Sequence, residues 1–231
     1  MMAPERNATD RFFLAKIAAP TAAARGGKTK GRRFMRLGMV RASLFSVGLA
    51  GALLIGAAGV ASAAMTGLQP ASPQPDPAQV APGLAVTYFG QMFQDVGEVA
   101  GQSGGEAGTP LAKLDDMPAQ GAPVLTSGKA MGVGAQIRGL IHFEAAGTYS
   151  FRVTSNDGVR VTLAGKMLAE DPGVHSDHTS LPVDVAIETP GWYELSVDYF
   201  QKKGTATLRL LWTPPGGSES PVPAEAFAHR K

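Results

Sequence analysis

Over Glu144–Leu168 and again over Pro190–Gly216, apolar and polar residues alternate with a period of two. Tyr149, Phe151 and Val153 alternate with Ser150, Arg152 and Thr154. Beyond Asn156-Asp157-Gly158, Val159, Val161 and Leu163 alternate with Arg160 and Thr162. Tyr193, Leu195, Val197 and Tyr199 repeat the pattern, as do Ala206, Leu208, Leu210 and Trp212 beyond a short polar turn. Successive strand residues point to opposite faces, so each run reads as a strand with one apolar face. Asp-Gly between two such runs is a hairpin signal, because it supplies the positive φ of a two-residue turn. The pattern predicts two β-hairpins whose apolar faces are buried against another sheet. The expected fold is all-β, an antiparallel β-sandwich.

Leu84–Phe89 reads as an opening strand, Ala135–Phe143 as another with Ile137, Ile141 and Phe143 on one face, and Pro182–Glu188 as a third. Gly101–Gly134 holds eight glycines and three prolines, which predicts long loops with short strands, one near Pro123–Thr126. Asp171–Ser180 reads as a polar loop. Residues 64–82, with five prolines from Gln69 to Pro82, read as an extended tether before a domain at 83–216. Residues 217–231 are polar, proline-punctuated and expected to fray as a flexible tail.

Charge changes this picture at the N-terminal side. Residues 1–41 hold ten of the 21 Lys and Arg but only Glu5 and Asp10 of the 19 acidic residues. The remainder carries a net charge of −6, so the basic whole-chain balance does not describe the folded part, and nucleic acid is an unsuitable partner. Ala42–Gln69 contains no charge over 28 residues, has its apolar centre at Leu44–Ile55, and passes through Ala61-Ser62-Ala63. A basic flank, a short apolar region and a small-x-small end predict a helical signal peptide at 35–63, cut between Ala63 and Ala64. The product is then secreted or periplasmic. Left uncut, the same run is long enough to anchor the chain in the inner membrane with the domain outside the cytoplasm. Residues 1–34 form an additional basic leader, and a start at Met35 gives a signal of ordinary length. Arg32-Arg33 resembles a twin-arginine signal only in the pair itself. With no cysteine, the chain has no disulfide, thiolate metal site, thiol catalyst or cysteine-linked lipid.

The words GTYSFRVTSNDGVRVTLAGK (147–166), PGWYELSVDYF (190–200) and GTATLRLLW (204–212), with the trailing Pro214-Pro215-Gly216, resemble the PA14 domain. The likeness is good over 137–216 and looser back to Gly83, where GLAVTYFG is similar to that domain's opening strand. The resemblance implies a PA14-type β-sandwich that acts as a binding module, with carbohydrate as the favoured ligand class. In calcium-dependent PA14 adhesins two adjacent aspartates at the turn hold the ion, and sugar hydroxyls complete its shell. Asp157 matches the second aspartate, and Asn156 stands in place of the first. The loop that supplies the other ligands corresponds to 200–204, with Gln201 where an asparagine is expected and Lys202 and Lys203 opposing a cation.

The candidate ligand-binding residues are therefore Asn156, Asp157, Gln201, Lys202 and Lys203, with calcium at Asn156 and Asp157 or with no cofactor at all. The two ammonium groups should lie at the Asp157 end and suit acidic saccharides such as uronate-bearing envelope polymers. Trp192 is out of phase with buried Tyr193 and Leu195, and its indole can stack on a sugar or cover the sandwich end. His175-Ser176-Asp177-His178 could offer imidazoles and a carboxylate to a metal, though a solvated loop is the plainer reading. Gly101-Gln102-Ser103-Gly104-Gly105 spells a nucleophile elbow, but Gly and Pro110 beyond it leave no helix to support one. Nothing assembles a nucleophile, base and orienting group, so the chain reads as non-catalytic. The rival to a carbohydrate module is a structural or protein-docking sandwich of the envelope that reads no sugar.

Overall fold

The structure, a computed structural model, describes residues 63–231. The basic leader, the apolar signal or anchor segment and the twin-arginine pair lie outside the described residues.

Among the described residues, fourteen strands, one short α-helix and two 3-10 turns (Pro77–Gln79 and Ala224–Ala226) build the domain. They are β1 (Val80–Pro82), β2 (Ala85–Gly90), helix α1 (Val96–Ala100), β3 (Glu106–Ala107) and β4 (Asp115–Asp116). Next come β5 (Val133–Phe143), β6 (Gly147–Asn156), β7 (Val159–Leu163), β8 (Lys166–Asp171) and β9 (His178–Thr179). The last are β10 (Val183–Ile187), β11 (Gly191–Gln201), β12 (Thr207–Thr213), β13 (Ser220–Pro221) and β14 (Phe227–Arg230). One sheet has the order β1-β14-β5-β11-β7-β8, with β2 beside β5 and β3 on β2. The other has the order β10-β6-β12-β13, with β4 on β12 and β9 on β6. Every pairing between named strands is antiparallel.

The core is the set of inward residues that the alternation marked. Tyr149, Phe151 and Val153 of β6 and Leu208, Leu210 and Trp212 of β12 meet Val159, Val161, Leu163, Tyr193, Leu195 and Val197 from the other sheet. Phe143 sits at the centre of one end, with ring centroids 4.8 Å from Tyr149, 5.2 Å from Tyr193 and 6.2 Å from Trp212. Burying a side chain of that size contributes roughly 1.5–3 kcal/mol.

The two expected hairpins are not hairpins. β6 pairs with β10, β12 and β9 in one sheet, whereas β7 pairs with β11 and β8 in the other. β11 and β12 are split between the sheets in the same way. Asn156-Asp157-Gly158 and residues 202–206 are thus arches that carry the chain from one sheet to the other across the same end of the sandwich. Alternation marks which face of a strand is buried, and both strands of an arch bury theirs in one core. The pattern is therefore blind to sheet membership. Gly158 is required for closeness rather than for positive φ: a Cβ there would meet the Phe200 ring at 2.4 Å and the Pro172 carbonyl oxygen at 2.6 Å.

Other expectations need correction. Residues 64–82 do not form a free tether. Met65 bridges Val185 of β10 in parallel, Leu68 and Ala71 are buried, and β1 pairs with β14. The Gln74 side chain clamps β11, accepting from the Trp192 N–H (2.8 Å) and donating to its carbonyl (3.0 Å). Proline-rich chain is extended and leaves its backbone groups unpaired, so it can be taken up along a sheet edge. Residues 217–231 are likewise built in. β13 lies on β12, β14 lies between β1 and β5, and Val222 and Phe227 are core residues. Between Gly101 and Gly134 the short strands are β3 and β4, while Pro123–Thr126 is turn. α1 went unforeseen. With Phe93 from the segment before it, it packs Val96 and Val99 on Phe200, which faces away from the sandwich core.

Candidate functional site

The arch end owes its geometry to one buried carboxylate. Asp157 is 3 % exposed, and each of its oxygens holds a backbone N–H: Oδ2 that of Lys202 (2.7 Å), Oδ1 that of His175 (3.1 Å). Its own N–H donates to the Phe200 carbonyl, and the Phe200 N–H donates to the carbonyl of Gly158. Three segments distant in sequence are thereby joined: the 156–158 arch, the start of the 202–206 arch, and the loop 172–177. Charge-assisted bonds of this kind are roughly twice as strong as neutral ones.

A second layer surrounds Asn156, which follows β6 into the interior and joins Asp157 through a cis peptide. Its Nδ2 donates to Asp177 Oδ1 (2.9 Å) and to the Thr205 hydroxyl (3.0 Å). Asp177 Oδ2 accepts from the Thr207 hydroxyl (3.0 Å). The Tyr199 hydroxyl donates to the Asn156 carbonyl at 2.6 Å. Burial first, and then the carboxylates of Asp116, Asp157 and Asp177, push the Tyr199 phenol well above its ordinary range, so it stays a neutral donor. Gln201 is fully buried. Its Nε2 donates to the Thr205 carbonyl at 3.3 Å, and its Oε1 has no donor among the described residues.

The structure thus brings Asn156, Asp157, Gln201 and Lys202 together and places Lys203, exposed, in the same arch. Lys202 reaches sideways, its Nζ donating to Gln94 Oε1 (2.8 Å) in the segment before α1. Asn156, Asp157 and Gln201 are interior groups that shape the end, and the accessible groups are those on its rim. Trp192 does not join them. It stands at the opposite end of β11, nine residues from Gln201, or about 30 Å along a strand. There its ring packs on His142 with centroids 4.8 Å apart, half-buried over the strand ends.

In the 175–178 segment, Asp177 is committed to Asn156 and Thr207. The carboxylate beside the two imidazoles is instead Asp171, with Oδ2 2.6 Å from His178 Nδ1 and 3.4 Å from His175 Nε2. Ser103 lies exposed just beyond α1, with no partner that would activate it among the described side-chain bonds. Sequence reasoning missed Thr205 and Gln94, and it offered Asp177 to a metal rather than to Asn156 and Thr207. Each lies in an aperiodic loop, and only the folding of the loops onto the arches gives it a partner. It also missed Met92 and Met131, both about half exposed at this rim.

Residues 126–226 match the family model of the PA14 domain. The fold is similar to that of the PA14 domain of the antifreeze protein MpAFP, with TM-score 0.55, 17% identity, and 67% of this chain and 94% of that one covered. It is similar also to a PA14 sugar-binding domain from an RTX adhesin (0.54, 20%, 64% and 98%). A third is a subtype-switched epithelial adhesin A domain from Candida glabrata, solved with β-lactose (0.51, 10%, 68% and 92%). At such identities the likeness is one of fold. A comparison with curated proteins finds no match.

Proposed function

We propose that this protein is an exported, non-catalytic PA14 binding module that takes carbohydrate at the arch end of its sandwich. The observation that carries the reading is the junction at Asp157, which draws two inter-sheet arches and the 172–177 loop into one rigid rim. Loops fixed on a rigid scaffold are where binding sites are commonly built. A sugar-binding adhesin domain and an adhesin domain solved with β-lactose, both of similar fold, support the ligand class. The module works outside the cytoplasm, secreted or periplasmic after cleavage between Ala63 and Ala64, or held at the inner membrane if the apolar segment is retained.

The ligand is held without calcium. That ion takes six to eight oxygens, several of them anionic. Here an amide replaces one carboxylate, and its nitrogen is turned toward Asp177. Both oxygens of Asp157 already hold N–H groups, and two ammonium groups lie in the adjoining arch. Among the described residues, Gln201 Oε1 alone is a buried side-chain oxygen without a donor. The residues present do not make a calcium donor set. Lys202 and Lys203 serve in its place, donating to the hydroxyl and carboxylate oxygens of acidic saccharides.

A glycan array probed with the full chain tests this, using neutral and uronate-bearing glycans, with calcium or chelator, at low and high salt. The expected result is uronate binding that weakens with salt and is indifferent to chelator. Absence of any glycan signal would reject the reading in favour of a protein-docking sandwich.

A further inference from the structure

Loop 172–177 and the strands it joins hold a group of side chains that the arch end does not use. His175 Nδ1 lies 2.7 Å from the Ser176 carbonyl. A carbonyl can only accept, so Nδ1 carries a proton, and in the neutral tautomer Nε2 offers its lone pair. That Nε2 is buried and has no hydrogen-bond partner. It faces Asp171 Oδ2 at 3.4 Å. The same oxygen accepts from His178 Nδ1 at 2.6 Å, and the two imidazole centroids are 6.1 Å apart. The other ring nitrogen of His175, tied to a carbonyl, is oriented as it is in metal-ligating histidines.

We infer that Asp171, His175 and His178 form a site for a divalent transition-metal ion such as zinc. Two ligands about 2.1 Å from one ion at a tetrahedral angle stand about 3.4 Å apart. The spacing of His175 Nε2 and Asp171 Oδ2 equals that separation. No three of the described His, Asp and Glu groups are yet at coordination positions, so one ligand must move. That ligand is His178, whose side chain is 64% exposed. It gives up its bond to Asp171 and turns a lone pair toward the ion. Two nitrogens and one oxygen suit zinc, nickel or copper and not calcium. Water completes the shell on the open side.

The site is coupled to the arches through the backbone. The His175 N–H is held by Asp157, and Asp177, one residue from His178, holds Asn156 and Thr207. A metal ion here stiffens the loop that forms one wall of the rim. The inference does not depend on what the rim binds.

The test is isothermal titration of the full chain, without an added affinity tag, with zinc chloride in a non-coordinating buffer, accompanied by thermal melts. One saturable zinc site is expected, with the melting temperature rising by about 5 °C or more at a hundredfold excess over Kd. His178→Ala and Asp171→Asn should each weaken binding by about tenfold or more. Both alter exposed or half-exposed groups, so the variants remain folded, and their unliganded melts verify this. His175→Ala should abolish the response. Three results would overturn the assignment: no zinc binding up to about millimolar, an isotherm unchanged in both His178→Ala and Asp171→Asn, or calcium reproducing the zinc response.

Discussion

Replacing Asp157 by alanine removes the acceptor shared by Lys202 N–H and His175 N–H and leaves the Phe200 and Gly158 backbone bonds in place. Each buried donor left without a partner costs about 1–3 kcal/mol. Two such donors give about 2–6 kcal/mol. Both Lys202 and His175 are only partly buried, so water can reach some of what the carboxylate abandons, and the lower half of that range is expected. Asp157→Asn retains one acceptor oxygen and turns an NH₂ toward the other donor, so it should cost roughly half as much. In urea denaturation followed by circular dichroism, Asp157→Ala should lower the midpoint with the slope m unchanged. The matching fall in Tm is about 2–4 °C per kcal/mol for a domain of this size. A loss below about 1 kcal/mol would refute the reasoning, because it would mean that the junction is not held by this carboxylate. Equal losses in Ala and Asn would show that shape rather than acceptor chemistry matters.

Gly158→Ala should destabilise by about 2 kcal/mol or more, since its Cβ would meet the Phe200 ring at 2.4 Å and the Pro172 carbonyl oxygen at 2.6 Å; a melt within 2 °C of wild type would contradict the packing. Burial foremost, and then the neighbouring Asp115 carboxylate, raise the Asp116 carboxyl above its ordinary range, against the N–H of Leu125 that favours the charged form. With a folded pKa above the unfolded one, Asp116 destabilises the fold as pH rises through its folded pKa. Asp116→Asn should therefore gain stability relative to wild type above that window, with the gain vanishing below about pH 4, as read from urea midpoints against pH. The Lys202→Ala, Lys203→Ala double variant should lose uronate binding several-fold and shift Tm by no more than about 2 °C, since Lys203 is exposed and the Lys202 ammonium bonds only to the exposed Gln94 side chain. Unaltered glycan binding in it would remove the ammonium groups from the site.

By itself the sequence determined what each strand buries. Tyr149, Phe151, Val153, Val159, Val161, Leu163, Tyr193, Leu195, Val197 and Tyr199 all point into the core as their alternation required, and the words around 147–212 were enough to reveal the PA14 likeness. Period-two patterning reports side-chain direction relative to the nearest apolar interior, which is a local property. It carries no information about which sheet a strand joins. That is set by the pairing of β6 with β12 and of β7 with β11, between residues up to about sixty apart in the chain. Only the tertiary structure therefore turned two apparent hairpins into arches. It also took up the proline-rich strap and the C-terminal segment into the sheets, because Leu68, Val222 and Phe227 show no periodicity until a core exists to receive them. Asp157 was legible as a special residue, but its partners were not. A carboxylate that caps the backbone N–H groups of His175 and Lys202 leaves no spacing rule in the chain, since its donors carry no side-chain identity. The regrouping of His175 and His178 with Asp171 rather than Asp177 was decided in the same way, by how a loop without periodicity folds onto the strands beside it.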